Sequence, residues 1–509
     1  MESVSKGKIA KNTLFLYFRM LFVMGVTLYT SRVILEVLGI DDFGIYQTVG
    51  GIVGMLTFVN SALSTGTSRF ITFELGKNDS DRLKRTFSTT VTMQILLALV
   101  IVIVAETVGA WFVRNKLQID AAVMPAALWA YHLSILTTVF NLISVPFIAS
   151  IISHERMSVF AYLGIFDVCA KLGVVYLLTV GGFNRLVFYA FLLLMVQVIV
   201  TLFYIIYCVR HFSETRYRLI FDRKIFRDIA GFSGWSLFAS SSVALNNQGV
   251  LILLNMFFSP AVVTARAISL QVNNAANQFV SNFRTAVNPQ IIKQYAAGNY
   301  DESKALLLSS TKYSFYMMFL LSLPICIGAK PLLGVWLKEV PDYTVIFLQL
   351  VVIQSLFQVF DTSFYMALYA KGDLKANALI SPTLGFLMFP VVYVMFKCGA
   401  SPVALSWASL AMYAVLGLII KPLLIVKIVN YKWKEIWAVF RPCFMVATVA
   451  GICSVILASH VDTSGFTGLV ITTCISLFIT IPIIYFLGMN KTMRKRIKDI
   501  IRLKIRAMF

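Results

Sequence analysis

The sequence predicts an all-α polytopic membrane protein with about 14 transmembrane helices. Of its 509 residues, 59% are hydrophobic and 13% are charged, which leaves too little polar surface to cover a soluble protein of this length. The apolar residues form runs of roughly 18 or more, the length that crosses about 30 Å of hydrocarbon. Lysine and arginine concentrate between these runs and at both ends, as in membrane proteins.

The individual spans follow from these apolar runs. The basic segment 1–11 leads into a run that is too long for a removable signal peptide and lacks a small-residue cleavage site, so we interpret it as the first span. The fourteen predicted spans have the approximate limits 12–36, 43–68, 87–111, 124–152, 159–178, 186–208, 234–257, 262–285, 311–334, 343–369, 376–396, 402–426, 442–459 and 466–488.

The positive charges predict the orientation of these spans. With the N-terminus inside, the cytoplasmic segments hold 33 of the 44 Lys and Arg residues, the opposite side holds six, and five fall within spans. The positive-inside rule predicts such an asymmetry, and a miscounted span would scramble it. We therefore expect both termini to be cytoplasmic, and we ascribe the net charge of +21 to topology rather than to nucleic-acid binding.

The segments outside the membrane are too short to form a catalytic domain. The longest, 209–233, is a basic connector with six spans before it and eight after it. It predicts an N-lobe over 1–230, a C-lobe over 231–430, and spans 13 and 14 with a basic tail over 431–509. The seven cysteines occur singly, without the spacing of a metal site or a disulfide framework. We expect a non-enzymatic protein without a metal, and a tail that lies on anionic lipid.

The two sides of the connector also resemble each other in sequence. Gly76, Asp79 and Ser88 follow span 2, and Gly298, Asp301 and Ser310 follow span 8, each 222 residues later. Because six helices is an even number, a duplicated half would keep its orientation, which predicts a parallel repeat.

The arrangement of six, six and two spans resembles the multidrug/oligosaccharidyl-lipid/polysaccharide (MOP) exporter superfamily. Within it, the chain resembles the O-antigen and capsular polysaccharide flippases. The residues that carry this resemblance are the basic start Lys8–Asn12, Thr30–Arg32, Leu38–Tyr46 leading into span 2, and the Gly298, Asp301 and Lys304 pattern after span 8. The resemblance extends over nearly the whole chain, although its motifs are diffuse.

This resemblance implies two six-helix lobes around a central cavity, plus two extra C-terminal helices. It implies a flippase that moves a polyprenyl-diphosphate-linked oligosaccharide from the inner to the outer leaflet of the bacterial inner membrane. The glycan would serve O-antigen, capsule or exopolysaccharide assembly, with the polysaccharide polymerase machinery as a partner.

A polar stripe on span 8 supplies most of the candidate substrate ligands. Arg266, Asn273, Asn277, Arg284 and Asn288 step by seven, four, seven and four residues, which keeps them on one helical face. Guanidinium groups suit phosphate, and amides suit sugar hydroxyls, so we interpret the stripe as the wall of a wet cavity. The alternative is hydrogen bonding between packed helices.

Three residues on other spans complete the candidate set. Arg19 lies deep in span 1 without a local partner, and we assign it to the diphosphate. Asn247 of span 7 is either a cavity amide or a packing amide. Asp361 of span 10 has no basic neighbour nearby in its span, so it is a candidate for binding a coupling proton or sodium ion; otherwise it pairs with an arginine from another helix.

Two rival functions stay open, and a third, enzymatic function is disfavoured. A multidrug/cation antiporter of the same superfamily should line its cavity with carboxylates and aromatic rings, whereas most charges within these spans are basic. A peptidoglycan-precursor (lipid II) flippase would share the cationic cavity. A membrane glycosyltransferase or polymerase would need catalytic residues on a large loop, and no segment here has that size.

Overall fold

The computed structural model is helical wherever it describes the chain. It describes residues 6–56, 67, 70–72, 74–75, 79–154, 156–178, 184–218, 220–373, 375–460, 465–489 and 494–495. Side chains are described from Met20 onward, except at 56, 157, 231–236, 239, 285–286 and 289. No strand occurs within these ranges. The predicted tail on lipid lies outside them apart from 494–495.

The structure describes fifteen helices along the chain. They are α1 (Lys6–Leu38), α2 (Ile40–Leu56), α3 (Ser80–Lys116), α4 (Met124–Ser153), α5 (Met157–Leu177), α6 (Arg185–His211), α7 (223–257), α8 (Pro260–Ala296), α9 (Tyr300–Ile327), α10 (Ala329–Trp336), α11 (Thr344–Lys371), α12 (Lys375–Lys397), α13 (Ala404–Val429), α14 (Trp433–Ser459) and α15 (Gly465–Gly488).

The helices confirm the predicted all-α polytopic class. Eleven helices in the described part are long and apolar enough to cross a membrane. The predicted spans outside this set fall on α2, which is described over only 17 residues, and on α7 and α8. The helices α7 and α8 carry most of the amides singled out in the sequence, so they are too polar for uniform contact with lipid.

The order of helices repeats along the chain. The helices α1 to α6 begin at 6, 40, 80, 124, 157 and 185, and α7, α8, α9, α11, α12 and α13 begin at 223, 260, 300, 344, 375 and 404. Each helix of the second set therefore starts 217 to 220 residues after its counterpart. This regular offset extends the short sequence match to six helices, although Gly76 lies outside the described residues.

Several described helices extend well past their predicted spans, among them α7, α8, α9 and α14. The helix α8 continues to Ala296 and α9 begins at Tyr300, whereas the predicted spans end at 285 and begin at 311. Hydropathy locates only the apolar part of a helix, and the polar turns beyond it remain helical. Gly298, with a φ of 80°, connects α8 and α9 in a conformation that glycine adopts without steric cost.

Four helices contain one wider, π-helical turn each. These turns are Ala105–Gly109 in α3, Leu245–Gly249 in α7, Leu416–Ile420 in α13 and Ile484–Gly488 in α15. A π-helical turn inserts one extra residue into the helix and changes the direction of the side chains that follow, which makes such turns frequent at functional positions.

The first compact unit, called unit 1, comprises 1–267 and 382–402. In its core α4 packs against α2, α3 and α6. The fully buried Tyr131 of α4 donates its hydroxyl hydrogen to the Ala105 carbonyl oxygen at 2.8 Å. This bond gives a buried polar atom of the π-helical turn in α3 a partner within the apolar core.

A glycine allows α2 and the start of α8 to approach closely within unit 1. A Cβ on Gly44 would overlap the carbonyl oxygen of Pro260 and lie 2.8 Å from the Thr264 hydroxyl oxygen. Thr264 donates its hydroxyl hydrogen to the Ile40 carbonyl oxygen at 2.6 Å, next to this contact. Such small-residue contacts are a common way for membrane helices to associate.

The second compact unit, called unit 2, comprises 268–381 and 403–509. Its core is aromatic: Phe360 of α11 lies 5.1 Å from Phe315 of α9 and 4.9 Å from Phe440 of α14, measured between ring centroids. This grouping divides α8 after Ala267, two turns from its start, rather than at the basic connector. The lobes 1–230, 231–430 and 431–509 therefore stay a prediction from the sequence.

Candidate functional site

The predicted stripe on α8 lies partly against α11. The hydroxyl of Ser355 donates to the Asn273 side-chain oxygen at 2.8 Å, and the Asn277 amide donates to the Ser355 hydroxyl at 3.1 Å. Asn273 is buried, and Asn277 is part-buried. These contacts are those of the packing alternative, and a substrate role for the two amides stays a prediction.

The inner part of the stripe also contacts α11. Arg284 donates a hydrogen bond to the hydroxyl of Thr362, about 16 Å along α8 from Asn273. Its guanidinium group also interacts electrostatically with the carboxylate of Asp361. The structure thus brings Arg284 and Asp361 into one neighbourhood of unit 2, a relationship that the sequence alone does not reveal.

The outer arginine of the stripe lies in unit 1. Arg266 is only 4% exposed, and it lies eight residues before Asn274, the first exposed position that follows it on α8. The predicted stripe is therefore shared between the two units, with Arg266 in unit 1 and Asn273, Asn277 and Arg284 in unit 2.

The exposed amides of α8 lie beside the predicted stripe. Asn274 and Gln278 are both exposed and are four residues apart, so they share one face of the helix. Amides exposed within a membrane-spanning segment are costly against lipid, and they need water or a polar ligand as a hydrogen-bond partner. This face is therefore the part of α8 best suited to contact a polar molecule.

The helix α7 contributes a third exposed amide, within unit 1. Asn247 is exposed and lies in the π-helical turn Leu245–Gly249. Its neighbour Asn246 donates its side-chain amide to the Ser242 carbonyl oxygen at 2.8 Å, as a packing amide does. Of these two amides, Asn247 is the one with the exposure that a ligand contact requires.

The remaining arginine of the candidate set lies in α1. Arg19 falls within the helix, but its side chain is outside the described residues. Its assignment to the diphosphate stays a prediction.

A buried charged cluster in unit 2 surrounds Asp361. The ammonium of Lys421 on α13 lies 3.2 Å from the Asp361 carboxylate, and it donates a hydrogen bond to the side-chain oxygen of Asn377 on α12. The same ammonium lies 5.3 Å from the ring centroid of Tyr365, within the range of a cation–π interaction. Only 3% of the Lys421 side chain is exposed.

This cluster shows the environment of Asp361, whose role in binding a coupling ion stays a prediction. The sequence suggested a carboxylate awaiting a coupling ion or paired with an arginine, and the structure pairs it with a lysine from another helix. With Arg284 also nearby, the cluster contains two cations and one carboxylate, and so carries one net positive charge.

A close contact between α13 and α11 lies one helical turn before the ion pair of Lys421 and Asp361. A Cβ on Gly417 would overlap the Phe357 carbonyl oxygen, so only glycine allows α13 and α11 to approach this closely. Gly417 lies in the π-helical turn Leu416–Ile420, which ends immediately before Lys421. Gly417 precedes Lys421 by four residues, as Phe357 precedes Asp361, so the contact and the ion pair lie on matching faces.

Carboxylates elsewhere in the spans are paired as well. Glu106 of α3 lies 2.9 Å from the His132 imidazole of α4, and Asp167 lies 2.7 Å from Lys171 within α5. The pairing of Asp167 with Lys171 at a spacing of four residues agrees with their sequence separation. No group of three or more His, Cys, Asp or Glu side chains suited to a metal occurs among the described residues.

Sequence reasoning missed the residues that complete these contacts. Lys421 appears in the sequence only as one of five basic residues within spans, 60 positions after Asp361. Ser355 and Asn377 carry no distinguishing pattern. The one available signal was that a buried lysine needs an anionic partner, which points to the nearest intramembrane carboxylate but does not select among helices.

Comparison with solved structures identifies the fold. No protein family model and no curated protein matches the chain. An inward-facing multidrug resistance MATE family transporter of the MOP superfamily superposes with a TM-score of 0.68 at 12% identity, covering 81% of this chain and 96% of its own. The lipid II flippase MurJ in an inward closed conformation superposes with a TM-score of 0.68 at 11% identity, covering 93% of this chain and 98% of its own.

A third solved structure extends the range of functions on this fold. A MOP superfamily transporter from Pyrococcus furiosus, described as having a binding pocket of reverse polarity, gives a TM-score of 0.59 at 13% identity, covering 83% of this chain and 97% of its own. Together these likenesses show that the chain has the MOP superfamily transporter fold. The fold that the predicted resemblance implies is thereby confirmed.

Proposed function

We propose that the protein is a lipid-linked oligosaccharide flippase. It moves a polyprenyl-diphosphate-linked glycan from the inner to the outer leaflet of the bacterial inner membrane by alternating access, for O-antigen, capsule or exopolysaccharide assembly. The exposed amides Asn274 and Gln278 on a membrane-spanning helix carry this proposal, because they need a hydrated or polar partner. Sugar hydroxyls are suitable partners for amides, since both groups donate and accept hydrogen bonds.

The charges support an anionic headgroup. The cluster of Arg284, Lys421 and Asp361 has an excess of one positive charge. Arg19 and Arg266, the other arginines predicted to bind substrate, are also cations. Arginine binds diphosphate oxygens with two parallel hydrogen bonds. From the sequence we keep Arg19, Arg266 and Arg284 as candidate ligands of the headgroup, and Asn247, Asn273 and Asn277 as candidate ligands of the glycan. To the glycan candidates we add the exposed Asn274 and Gln278.

A multidrug/cation antiporter is the less favoured function on this fold. Such a transporter needs carboxylates that are available to an organic cation. Glu106, Asp167 and Asp361 each already lie within ion-pair distance of a basic side chain. A drug cation would have to displace that basic side chain, which weakens binding.

The lipid II flippase is the second candidate function, and one observation favours it over the antiporter. The MurJ structure aligns with 93% of this chain, and the inward-facing MATE transporter aligns with 81% of it. Both solved structures align over nearly their whole length, so the difference lies in how much of this chain each one matches. A flippase of the MurJ type therefore accounts for more of this chain. Both flippase functions use a polyprenyl-diphosphate-type headgroup, and they differ in the glycan.

Leaflet exchange in reconstituted vesicles tests the proposal. The vesicles contain the purified protein and a fluorescent polyprenyl-diphosphate oligosaccharide, and a membrane-impermeant quencher measures the exchange. Arg19→Ala, Arg266→Ala and Arg284→Ala should each slow exchange by about tenfold or more, because each removes a charge-assisted hydrogen bond worth about 1.5–3 kcal/mol. Arg441→Ala is the matched control: it removes an exposed arginine of α14 and should leave the exchange rate at the wild-type value.

Three results decide between the functions. Exchange at the wild-type rate in all three variants contradicts the assigned ligands. Exchange of lipid II at a higher rate than the oligosaccharide lipid supports the second candidate. Efflux of an organic cation without lipid exchange supports the antiporter and overturns the flippase.

We also propose that both termini are cytoplasmic. The 33-to-6 distribution of Lys and Arg supports this orientation. In a variant without the native cysteines, Glu302→Cys should react with an impermeant maleimide only from the cytoplasmic side. Glu339→Cys should react only from the outside. The side chains of Glu302 and Glu339 are both exposed, Glu302 in the first turn of α9 and Glu339 just after the end of α10. The reverse pattern contradicts the orientation.

A further inference from the structure

The charged cluster of unit 2 resembles an occupied cation site. The ammonium of Lys421 is surrounded by a carboxylate oxygen of Asp361 at 3.2 Å, the amide oxygen of Asn377 and the aromatic ring of Tyr365. Carboxylate and amide oxygens are the ligands that hard cations such as sodium prefer in proteins. The position of the ammonium is thus one that a monovalent cation could occupy.

The oxygen atoms are held in place by further contacts. The Asn377 side-chain oxygen also accepts a hydrogen bond from the Ser381 hydroxyl at 3.1 Å, one turn along α12. Asn377 is buried, and Asp361 is 16% exposed. Since these groups come from α11 and α12, the ligands persist when the lysine of α13 is shortened.

The other charged and titratable groups around the cluster are already engaged. Arg284 of α8 interacts electrostatically with Asp361, but it donates its hydrogen bond to Thr362. Tyr365 of α11 presents its ring face to the ammonium. Lys421 is therefore the cation that makes the direct ion pair with Asp361 among the described residues.

We propose that Lys421 is a tethered cation that occupies a monovalent-cation site formed by Asp361 and Asn377. In the wild-type protein the ammonium takes the place of a free ion, so this site binds no sodium. Removing the ammonium leaves a buried carboxylate and an amide oxygen, which then bind sodium from solution. This inference rests on the geometry of unit 2 and does not depend on the proposed flippase function.

Sodium-dependent stability tests this inference without any transport substrate. The purified wild-type protein and Lys421→Ala are unfolded by heat in sodium chloride and in N-methylglucamine chloride at equal ionic strength. Sodium should raise the unfolding midpoint of Lys421→Ala by several degrees and leave the wild-type midpoint unchanged, because a ligand stabilises only the folded state that binds it. Binding of radioactive sodium should follow the same order.

Two controls identify the site. The double variant Lys421→Ala/Asp361→Asn should lose the sodium effect, since it lacks the carboxylate. Lys171→Ala removes the partner of Asp167, a more exposed ion pair with 41% of the lysine side chain accessible, and should show no sodium effect. Lys421→Ser serves as a second single variant, because its hydroxyl can add an oxygen ligand.

Each outcome bears on the proposal. A sodium effect in a Lys421 variant that disappears with Asp361→Asn supports it, and so does a variant that folds only in sodium. Equal stability in both salts for Lys421→Ala and Lys421→Ser overturns it. Failure of both variants to fold even in sodium also overturns it, because the ion should compensate for the lost ammonium. Specific sodium binding to the wild-type site overturns it as well.

Discussion

Ser355 of α11 donates a hydrogen bond to the side-chain oxygen of Asn273 on α8, at 2.8 Å. Through the same hydroxyl it accepts the Asn277 amide at 3.1 Å. One small side chain thus provides hydrogen-bond partners for two amides in a largely apolar interior, and the Asn277 amide also donates to the Asn273 carbonyl oxygen at 3.0 Å. Buried polar groups without partners are costly, so this bridge holds α8 to α11 within unit 2.

Ser355→Ala should therefore destabilise the protein. It removes one acceptor for Asn277 and the donor for Asn273, and each loss costs about 1–3 kcal/mol when the remaining group stays buried. The measurement is the thermal unfolding midpoint of the purified protein. Ser309→Ala, at an exposed position of α9, is the control and should unfold near the wild-type midpoint. A Ser355→Ala midpoint equal to that of the control would show that the bridge is dispensable.

The Asp361–Lys421 ion pair should contribute more to stability than the Asp167–Lys171 ion pair. Asp361→Asn leaves the 3% exposed Lys421 without an anion and should cost about 3–5 kcal/mol. Asp167→Asn breaks a pair whose lysine is 41% exposed and should cost less, because the Lys171 side chain is not enclosed by protein and its flexible stem can carry the ammonium to another polar partner.

A double-mutant cycle separates this coupling from other effects of the substitution. Adding Lys421→Met to Asp361→Asn should restore part of the lost stability, since the unpaired ammonium is then replaced by a neutral side chain of similar length. Equal unfolding midpoints for Asp361→Asn and Asp167→Asn, or a further loss in the double variant, would contradict the importance of the buried pair.

Gly44→Ala should destabilise unit 1. The added methyl group would overlap the Pro260 carbonyl oxygen and press on the Thr264 hydroxyl, so α2 and α8 would have to separate, at about 1–3 kcal/mol. Gly50→Ala is the control on the same helix, because a Cβ there has no atom within 4 Å. Thermal unfolding compares the two variants. A Gly44→Ala protein that is as stable as Gly50→Ala would rule out the close approach.

The exposed amides of α8 should affect transport more than stability. Replacing both Asn274 and Gln278 by leucine removes two possible hydrogen bonds to a polar substrate, together worth about 1–3 kcal/mol, and should slow leaflet exchange by about tenfold. The unfolding midpoint should stay at or above that of the wild type, since no buried polar group loses a partner.

The buried neighbour on the same helix provides the contrast. Asn273→Leu should lower the unfolding midpoint, because Asn273 is buried and bonded to Ser355. If the Asn274→Leu/Gln278→Leu protein exchanges lipid at the wild-type rate and is more stable, this face contacts the lipid bilayer instead of substrate.

The membrane architecture could be predicted from the sequence because hydropathy and charge act locally. A segment of about 20 apolar residues must cross the bilayer as a helix whatever lies beside it, and the distribution of Lys and Arg opposes a wrong count of spans. Residues 124–152 were thus predicted within one or two positions of α4. Predictions of helix ends were poorer at α8 and α9, where polar turns stay helical beyond the apolar part.

The polar stripe was harder to interpret. Helical periodicity correctly places Asn273, Asn277 and Arg284 on one face of α8, and all three contact α11. Periodicity gives the direction of a side chain but does not identify the element that it faces. The exposed amides Asn274 and Gln278 lie outside the predicted stripe, and only the structure identifies them as the accessible ones.

The sequence by itself determined the all-α membrane class, the positions of the spans and the duplicated order of helices, because each depends on interactions along one segment. Only the tertiary structure decided that Asp361 pairs with Lys421 and that Ser355 bridges two amides of α8. These partners lie 60 and about 80 residues apart, on helices with no shared pattern. A buried charge or amide requires a partner, but helix packing selects which one lies within hydrogen-bonding distance.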